Sequence, residues 1–450
     1  MKTNHGVKEE LTIVGGGPVG TLLALHLAKK GYSVDVFEKR GDPRSHMEPE
    51  GRSINLALST RGLCALNEVG VNKQLLPHAV QMKGRLVHDK DARQHFIPYS
   101  PRADRLIYSI TRMELNKVLL DEAAMNSNIR FHYNENCLGI DLKAQTILFQ
   151  NMRSKLMHKR PLSITFGAEG MWSAIRTSLL RVPYTNFSQQ HLDYDYKELT
   201  IPASQGHLLE KNALHLWPRG GHLMVALPNP DGSFTCTLFL PHEGERSFAH
   251  LKQQDAAVAF FQREFSDALP LMKDFFRQMI EYPVGRLTTV KIDPWSFQNK
   301  ILLIGDAAHG IVPFYGQGLN CGFENCAFLS RCIDEHAGKW DLIFHAYEQG
   351  RRANTDAIAE LSFDNFVELR ERVSDPLFKL KSKLEGALEA AYPEEFLSKY
   401  SMVTFSCMPY TEALVKGRRQ DQLLMEICKH ITNVEEVDLQ ALKSKLSNSV

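Results

Sequence analysis

Residues 11–40 read LTIVGGGPVGTLLALHLAKKGYSVDVFEKR, and the fold turns on what this stretch binds. Leu11 to Val14 are apolar and β-prone, the composition of a strand buried on both faces. Gly15, Gly17 and Gly20 follow as G-x-G-x-x-G. In that spacing the first glycine permits a tight turn and the second lets a pyrophosphate approach the backbone. The third lets helix and strand pack closely. Pro18 suits the first helical turn, where its missing N–H costs nothing. Lys29 and Lys30 complement the negative end of the helix, and Gly31 suits its C-terminal cap. The helix therefore points its free amides at a phosphate. A second strand, YSVDVFE, ends in Glu38, eighteen residues beyond Gly20. A carboxylate there accepts hydrogen bonds from a ribose 2′-OH and repels a 2′-phosphate. The stretch thus predicts a dinucleotide with a free 2′-OH, either NAD or FAD, and excludes NADP from this site. A glycine-rich turn without a ligand is the alternative, and strand, helix, second strand and acidic end together argue against it.

A second stretch, ILLIGDAAHGIVPFYGQGLN at 301–320, separates the two dinucleotides. Ile301 to Ile304 form another buried strand, and Gly305-Asp306 turns sharply at its end. NCGFENCAFLSRCI then starts a helix after the glycine loop Gly316 to Leu319. A carboxylate at the strand end can accept a hydrogen bond from a sugar-like hydroxyl chain, and a helix N-terminus offers positive potential to an anionic ring. FAD has both a ribityl chain and a ring that becomes anionic on reduction; NAD has neither. A helix cap is the alternative account of Asp306, and the glycine loop attached to it argues against that.

The rest of the chain limits the alternatives. At 450 residues it is long enough for two domains. With 53 basic against 52 acidic residues, the net charge of +1 gives no electrostatic case for nucleic acid or an anionic membrane. The polar start MKTNHGVKEE shows no secretion signal, and no segment reads as a membrane span. Eight cysteines contain no C-x-x-C pair. Cys321, Cys326 and Cys332 share one expected helix without a histidine at ligand spacing, so buried thiols are a better account than metal. A soluble protein in the reducing cytoplasm follows as the default.

These motifs resemble those of the class A flavoprotein monooxygenases, the aromatic hydroxylases of the p-hydroxybenzoate hydroxylase fold. GRSINLALSTRG (51–62), MKGRLVH (82–88), GDAAHGIVPFYGQGLNCGFE and KYSMVTFSCMPY (399–410) are most similar to the kynurenine 3-monooxygenase family. The resemblance runs from Leu11 to about Tyr410. It implies FAD as the held cofactor, NADPH as the transient reductant, and O2 and L-kynurenine as the substrates, with 3-hydroxy-L-kynurenine as product.

The flavin contacts it implies, beside Gly15, Gly17 and Gly20, are Val19, Glu38, Lys39, Arg40, Gly41, Ala57, Arg112, Leu138, Asp306, Gly318 and Leu319. Arg112 also opens a helix-like run and can reach a phosphate. The substrate contacts implied are Arg85, Tyr99, Asn365 and Tyr400. An arginine can grip an α-carboxylate as a bidentate pair, and tyrosines can donate to it or wall an aromatic ring. Phe314, Tyr315 and Gln317 look placed to line the pocket. No residue is assigned as a catalytic acid, base or metal ligand, because the hard chemistry belongs to the cofactor. His309 and Trp217 are expected to be structural, and the basic run 152–160 a solvated hairpin.

With no second G-x-G-x-x-G, no dedicated nicotinamide domain is expected. The family's GADG element stands here as FGAEGMWSAIR. Glu169 replaces the aspartate; the extra methylene alters how the loop is held, while the charge is expected to survive. The fold class expected is α/β, a Rossmann-like FAD-binding domain with an inserted antiparallel-sheet substrate domain and a C-terminal helical region. The division is 8–80, 100–180 and 285–375 for the flavin domain, 81–99 and 181–284 for the substrate sheet, and 376–450 for the helical region. A flavin halogenase or reductase of the same fold is a rival, though Trp172, Trp217, Trp295 and Trp340 form no W-x-W-x-I-P element. A non-catalytic dinucleotide-binding protein is the rival from another class.

Overall fold

The computed structural model describes residues 9–45, 55–102, 104–372 and 375–448, so the start of the 51–62 motif (51–54) lies outside them. Its centre is a six-stranded sheet. The order is Ser296–Phe297, Ile301–Leu303, Thr165–Gly167, Glu10–Val14, Ser33–Glu38 and Ile129–Tyr133. All pairs are parallel except the first. Leu11, Ile13, Val34, Val36, Ile301 and Leu302 are completely buried, which is why these strands read as continuous apolar runs rather than alternating ones. Helix Pro18–Lys29 packs against Arg112–Ala124 and Gly318–Glu335 and is buried from Gly20 to Ala28. A helix enclosed on so many sides carries apolar residues around most of its circumference.

The other large sheet has eight strands. Their order is His309–Gly310, Val284–Asp293, Asn186–Ile201, Phe234–Pro241, Leu223–Pro228, Ala213–Pro218, Gly84–His88 and Gln94–Pro98. It is antiparallel apart from one parallel pairing, Ala213–Pro218 with Gly84–His88. The strand Val284–Asp293 continues this sheet well past residue 285, where the sequence division placed the flavin domain. One face packs on Gln254–Glu264 and Phe275–Glu281 through Leu199, Trp217, Phe261 and Phe275. Tyr194, Tyr196, Phe239 and Val87 lie on the opposite face with Phe314 and Phe366. That second face looks toward the flavin half of the molecule.

The run 152–160 is a hairpin between Thr146–Asn151 and Met157–Pro161, exposed as its charge requires. The C-terminal region is helical: Pro376–Ala391, Lys399–Thr404, Tyr410–Cys428 and Leu439–Asn448. Among the described residues no helix is long and apolar enough to cross a membrane.

Candidate active site

Three loops meet at the carboxyl ends of the parallel strands, where ligands of open α/β sheets bind. The first is Gly15–Gly17. Gly15 has φ +107°, and a Cβ there would meet the Ala168 carbonyl oxygen at 2.4 Å. A Cβ on Gly20 would lie 1.9 Å from the Gly15 oxygen, so this helix can approach its strand only with glycine present. The second loop, Ala168–Trp172, is tied to the first by Ala168 N–H donating to the Val14 oxygen at 2.8 Å. Arg176 then ties it to the third, donating to the Ala307 oxygen at 3.0 Å and to the Met171 oxygen. Val19 packs on that third loop as well: a Cβ at Gly305 would meet its Cγ1 at 3.2 Å. The two glycine motifs, nearly three hundred residues apart, thus share one cleft.

The residues fit FAD on three observations. Neither Pro18–Lys29 nor Gly318–Glu335 has a side chain capping its start, which leaves the first amides of both for a ligand. Around Gly17 and Gly318 a Cβ would meet nothing within 4 Å, so the backbone is open to close approach. Asp306 stands half-buried at the end of its strand, and desolvation raises its pKa. The charges of Arg112 and Arg176 counter that rise. Arg112 starts helix Arg112–Ala124, whose cap Thr111 accepts from Glu114 N–H.

Glu38 is 9 % exposed at the end of its strand. Its Oε2 accepts from Gly16 N–H at 2.8 Å and its Oε1 from Arg40 N–H at 2.9 Å. The carboxylate therefore shapes the glycine loop and keeps lone pairs for a hydroxyl. Lys39 and Arg40 are exposed beyond it, with Gly41 half-buried. Ala57 meets the third loop, its oxygen accepting from Asn320 Nδ2 at 2.8 Å. Leu319 packs against the main core behind the loop. Leu138 is the outlier among the expected contacts, 42 % exposed on strand Glu135–Asp141.

The expected substrate residues come from three parts of the chain, and Arg85, Tyr99 and Tyr400 converge. The Arg85 guanidinium lies 4.3 Å from the Tyr400 ring centroid and 5.6 Å from that of Tyr99. Tyr400 stacks between Tyr99 and Tyr315, at 5.7 and 5.6 Å. Among the described residues the groups acting on the Arg85 charge are tyrosines, with no carboxylate. The Tyr99 hydroxyl is buried without a hydrogen-bond partner. Burial pushes the Tyr99 and Tyr315 phenols well above their ordinary pKa, so both stay neutral. Asn365 spends an amide proton on the Phe314 oxygen at 2.7 Å. Its visible task is to fix Phe314, which stacks on Phe366 at 4.0 Å and meets Phe239 at 4.9 Å. Gln317 accepts from the Tyr410 hydroxyl at 2.9 Å.

Glu169 accepts from Ser173 Oγ, Ala174 N–H and Ile175 N–H at the start of the helix Ala174–Leu179, alongside its N-cap Ser173. Burial nevertheless pushes its pKa up to about 7. The longer side chain thus spends its oxygens on its own loop, and burial works against its charge. His309 is buried, with Nε2 2.7 Å from Asn325 Nδ2, and burial lowers its pKa to about 3. Trp217 is fully buried and donates to Asp267 at 3.0 Å. Trp217 is thus part of the core, and the His309 Nδ1 is buried without a hydrogen-bond partner. Cys321, Cys326 and Cys332 are buried on the helix Gly318–Glu335.

Residue-by-residue reading missed Phe239, Phe366 and Tyr410. The alternation in FTCTLFLP marks Phe239 as one face of a strand, though not which face. Tyr410 closes the KYSMVTFSCMPY segment but carries no signal of its own partner.

The family model for an FAD binding domain matches residues 8–362. Kynurenine 3-monooxygenase of Myxococcus xanthus is 40% identical over 435 residues, covering 96% of this chain and 94% of that protein. That of Dictyostelium discoideum is also 40% identical, over 449 residues and 96% of each chain. Among solved structures, 2-methyl-3-hydroxypyridine-5-carboxylic acid oxygenase superposes with a TM-score of 0.65 at 19% identity. The match covers 85% of this chain and 98% of that one, and it bears on the fold alone.

Proposed function

The chain belongs to the kynurenine 3-monooxygenase family, and from that premise we infer how its own residues divide the work. The activity is FAD-dependent hydroxylation of L-kynurenine to 3-hydroxy-L-kynurenine, consuming NADPH and O2. Reduction by NADPH and activation of O2 are the chemistry that bound FAD supplies. The protein's share is binding, orientation and exclusion of water.

The glycine loop and the uncapped helix Pro18–Lys29 hold the pyrophosphate, and Glu38 takes the adenosine ribose. Asp306 takes the ribityl hydroxyls, and the amides of Gly318 and Leu319 meet the pyrimidine edge. Arg85 receives the α-carboxylate of kynurenine as a bidentate pair. Tyr99 supplies a neutral hydroxyl beside it, and Tyr400 and Tyr315 wall the ring. Phe314, held by Asn365, closes the apolar side with Phe239. The observation that carries the substrate reading is a half-buried arginine lying against two tyrosine rings, without a carboxylate partner among the described residues, next to an unpaired buried hydroxyl. Such groups are costly to leave unsatisfied unless a ligand satisfies them. The eight cysteines form no disulfide, Cys64 and Cys407 meeting at 3.8 Å as thiols, which favours a reducing cytoplasm.

Turnover tests this directly. The FAD-loaded chain should oxidise NADPH faster when L-kynurenine is added, with 3-hydroxykynurenine identified by mass. A chlorinated product, or indifference to any aminophenyl ketone, would overturn the reading.

A further inference from the structure

Helix Lys399–Thr404 carries Tyr400 into the substrate pocket, and the residue that holds this helix has no role in the reading above. Arg61 is 1 % exposed. It donates from Nε to the Val403 oxygen at 3.0 Å and from Nη2 to the oxygens of Met402, at 3.3 Å, and Met408. Its Nη1 pairs with Glu324 Oε1 at 2.8 Å, and its guanidinium lies 3.9 Å over the Tyr410 ring. Tyr410 in turn donates to Gln317 Oε1 at 2.9 Å. From there the bonds run on: Gln317 Nε2 to Ser59 Oγ at 3.3 Å, Ser59 N–H to Asn320 Oδ1 at 2.9 Å, and Asn320 Nδ2 to the Gly316 and Ala57 oxygens, both at 2.8 Å. Ser59, Gln317, Asn320 and Tyr410 are all buried.

The chain of bonds therefore has the substrate helix at one end and the glycine loop before Gly318 at the other. Satisfied buried networks of this kind fix geometry, because any shift leaves a polar group unpaired in low dielectric. We propose that Arg61 and Tyr410 are positioning residues that hold the substrate-recognition helix in register with the loop at the flavin edge. The inference rests on the kynurenine reading above. Its consequence is coupling. In register, kynurenine, NADPH, H⁺ and O2 give 3-hydroxykynurenine, NADP⁺ and water. Out of register, the same NADPH and H⁺ reduce O2 to hydrogen peroxide, and kynurenine is left unchanged. A misplacement of about 1 Å is enough to cost a large factor in an oriented reaction.

Tyr410→Phe keeps the ring beneath Arg61 and removes only the donor to Gln317. In the FAD-loaded full chain, flavin content and kynurenine affinity should stay within about twofold of the parent, while product formed per NADPH falls about fivefold and peroxide makes up the difference. Arg61→Lys keeps a charge for Glu324 but cannot reach three carbonyls. It should lower the same ratio and also raise the KM for kynurenine, because Tyr400 moves with its helix. A Tyr410→Phe protein with the parental ratio of product to NADPH, whatever its melting temperature, overturns the inference. A ratio that falls only in proportion to lost flavin overturns it too. Should Arg61→Lys fail to fold, Tyr410→Phe decides alone. Failure of the parent protein to hydroxylate kynurenine strikes the underlying reading instead, and the two failures cannot be confused.

Discussion

Arg61 and Arg85 flank the same helix, Lys399–Thr404, and their surroundings are opposite. Around Arg61 the guanidinium is filled: three carbonyl oxygens, the Glu324 carboxylate and the Tyr410 ring account for it. Around Arg85 there are the rings of Tyr400 and Tyr99 and, among the described residues, no carboxylate. Both regions are walled by aromatic side chains, with Arg61 fully buried and Arg85 half-buried. What differs is the balance of charge. A buried cation with every partner supplied by the fold is framework, whereas one whose counter-charge is missing is matched by an anion from outside. Substitution should therefore cost folding stability in the first region and ligand affinity in the second.

The sharpest test is Arg61→Ala, which should lower unfolding stability by about 3–5 kcal/mol, the cost of breaking a buried pair from one side. Urea unfolding of the FAD-loaded protein measures it, and a loss below about 1 kcal/mol would erase the contrast. Arg85→Ala should weaken kynurenine binding by about 2–5 kcal/mol and leave flavin content and the unfolding midpoint unchanged. Arg85→Lys should recover part of that affinity, since an ammonium lacks the planar fork. A titration followed by the flavin spectrum separates these outcomes from loss of FAD, which would mean that Arg85 serves the cofactor. Glu38 is an intermediate case, with two bonds from the fold and lone pairs to spare. Glu38→Gln should weaken FAD binding by about 1.5–3 kcal/mol, read by equilibrium dialysis, with kynurenine affinity intact once the enzyme is reloaded.

A pH-dependent effect concerns Glu169, whose bonds are all supplied by the fold and whose burial still prevails. Its pKa is raised from 4.5 to about 7 in the folded chain. The folded state thus holds the proton over a range where the unfolded chain has released it. This contribution to stability is present in full below the unfolded value and is lost as pH rises through the folded one. Melting temperatures should show Glu169→Gln gaining on the parent between about pH 5 and pH 8. A constant difference across that range would mean that the helix-capping bonds outweigh burial.

The parallel sheet and both glycine motifs were legible because their information is local. A run such as Leu11 to Val14, the spacing of Gly15, Gly17 and Gly20, and a strand ending in Glu38 all lie within thirty residues. The substrate residues were legible only through segments shared with a family, since a lone Tyr99 or Tyr400 resembles any core tyrosine. Arg61 was not legible at all. It reads as an ordinary residue near a helix start, and its partner Val403 lies 342 positions away. The raised pKa of Glu169 was hidden for a related reason: the methylene is visible in the sequence, but the desolvation is a property of the packed loop.

The strand order of the central sheet also sets a timetable for synthesis. Glu10–Val14 has one neighbour close behind it, Ser33–Glu38, but its other neighbour is Thr165–Gly167, which itself pairs with Ile301–Leu303. A ribosome adding about 5–20 residues per second needs roughly 15–60 s to travel from the first glycine loop to the third. For that interval the nascent chain carries an apolar strand edge and half a cleft. FAD can stabilise the chain only after residues 316–320 have emerged, so chaperone demand should fall on the long middle of translation rather than on its end.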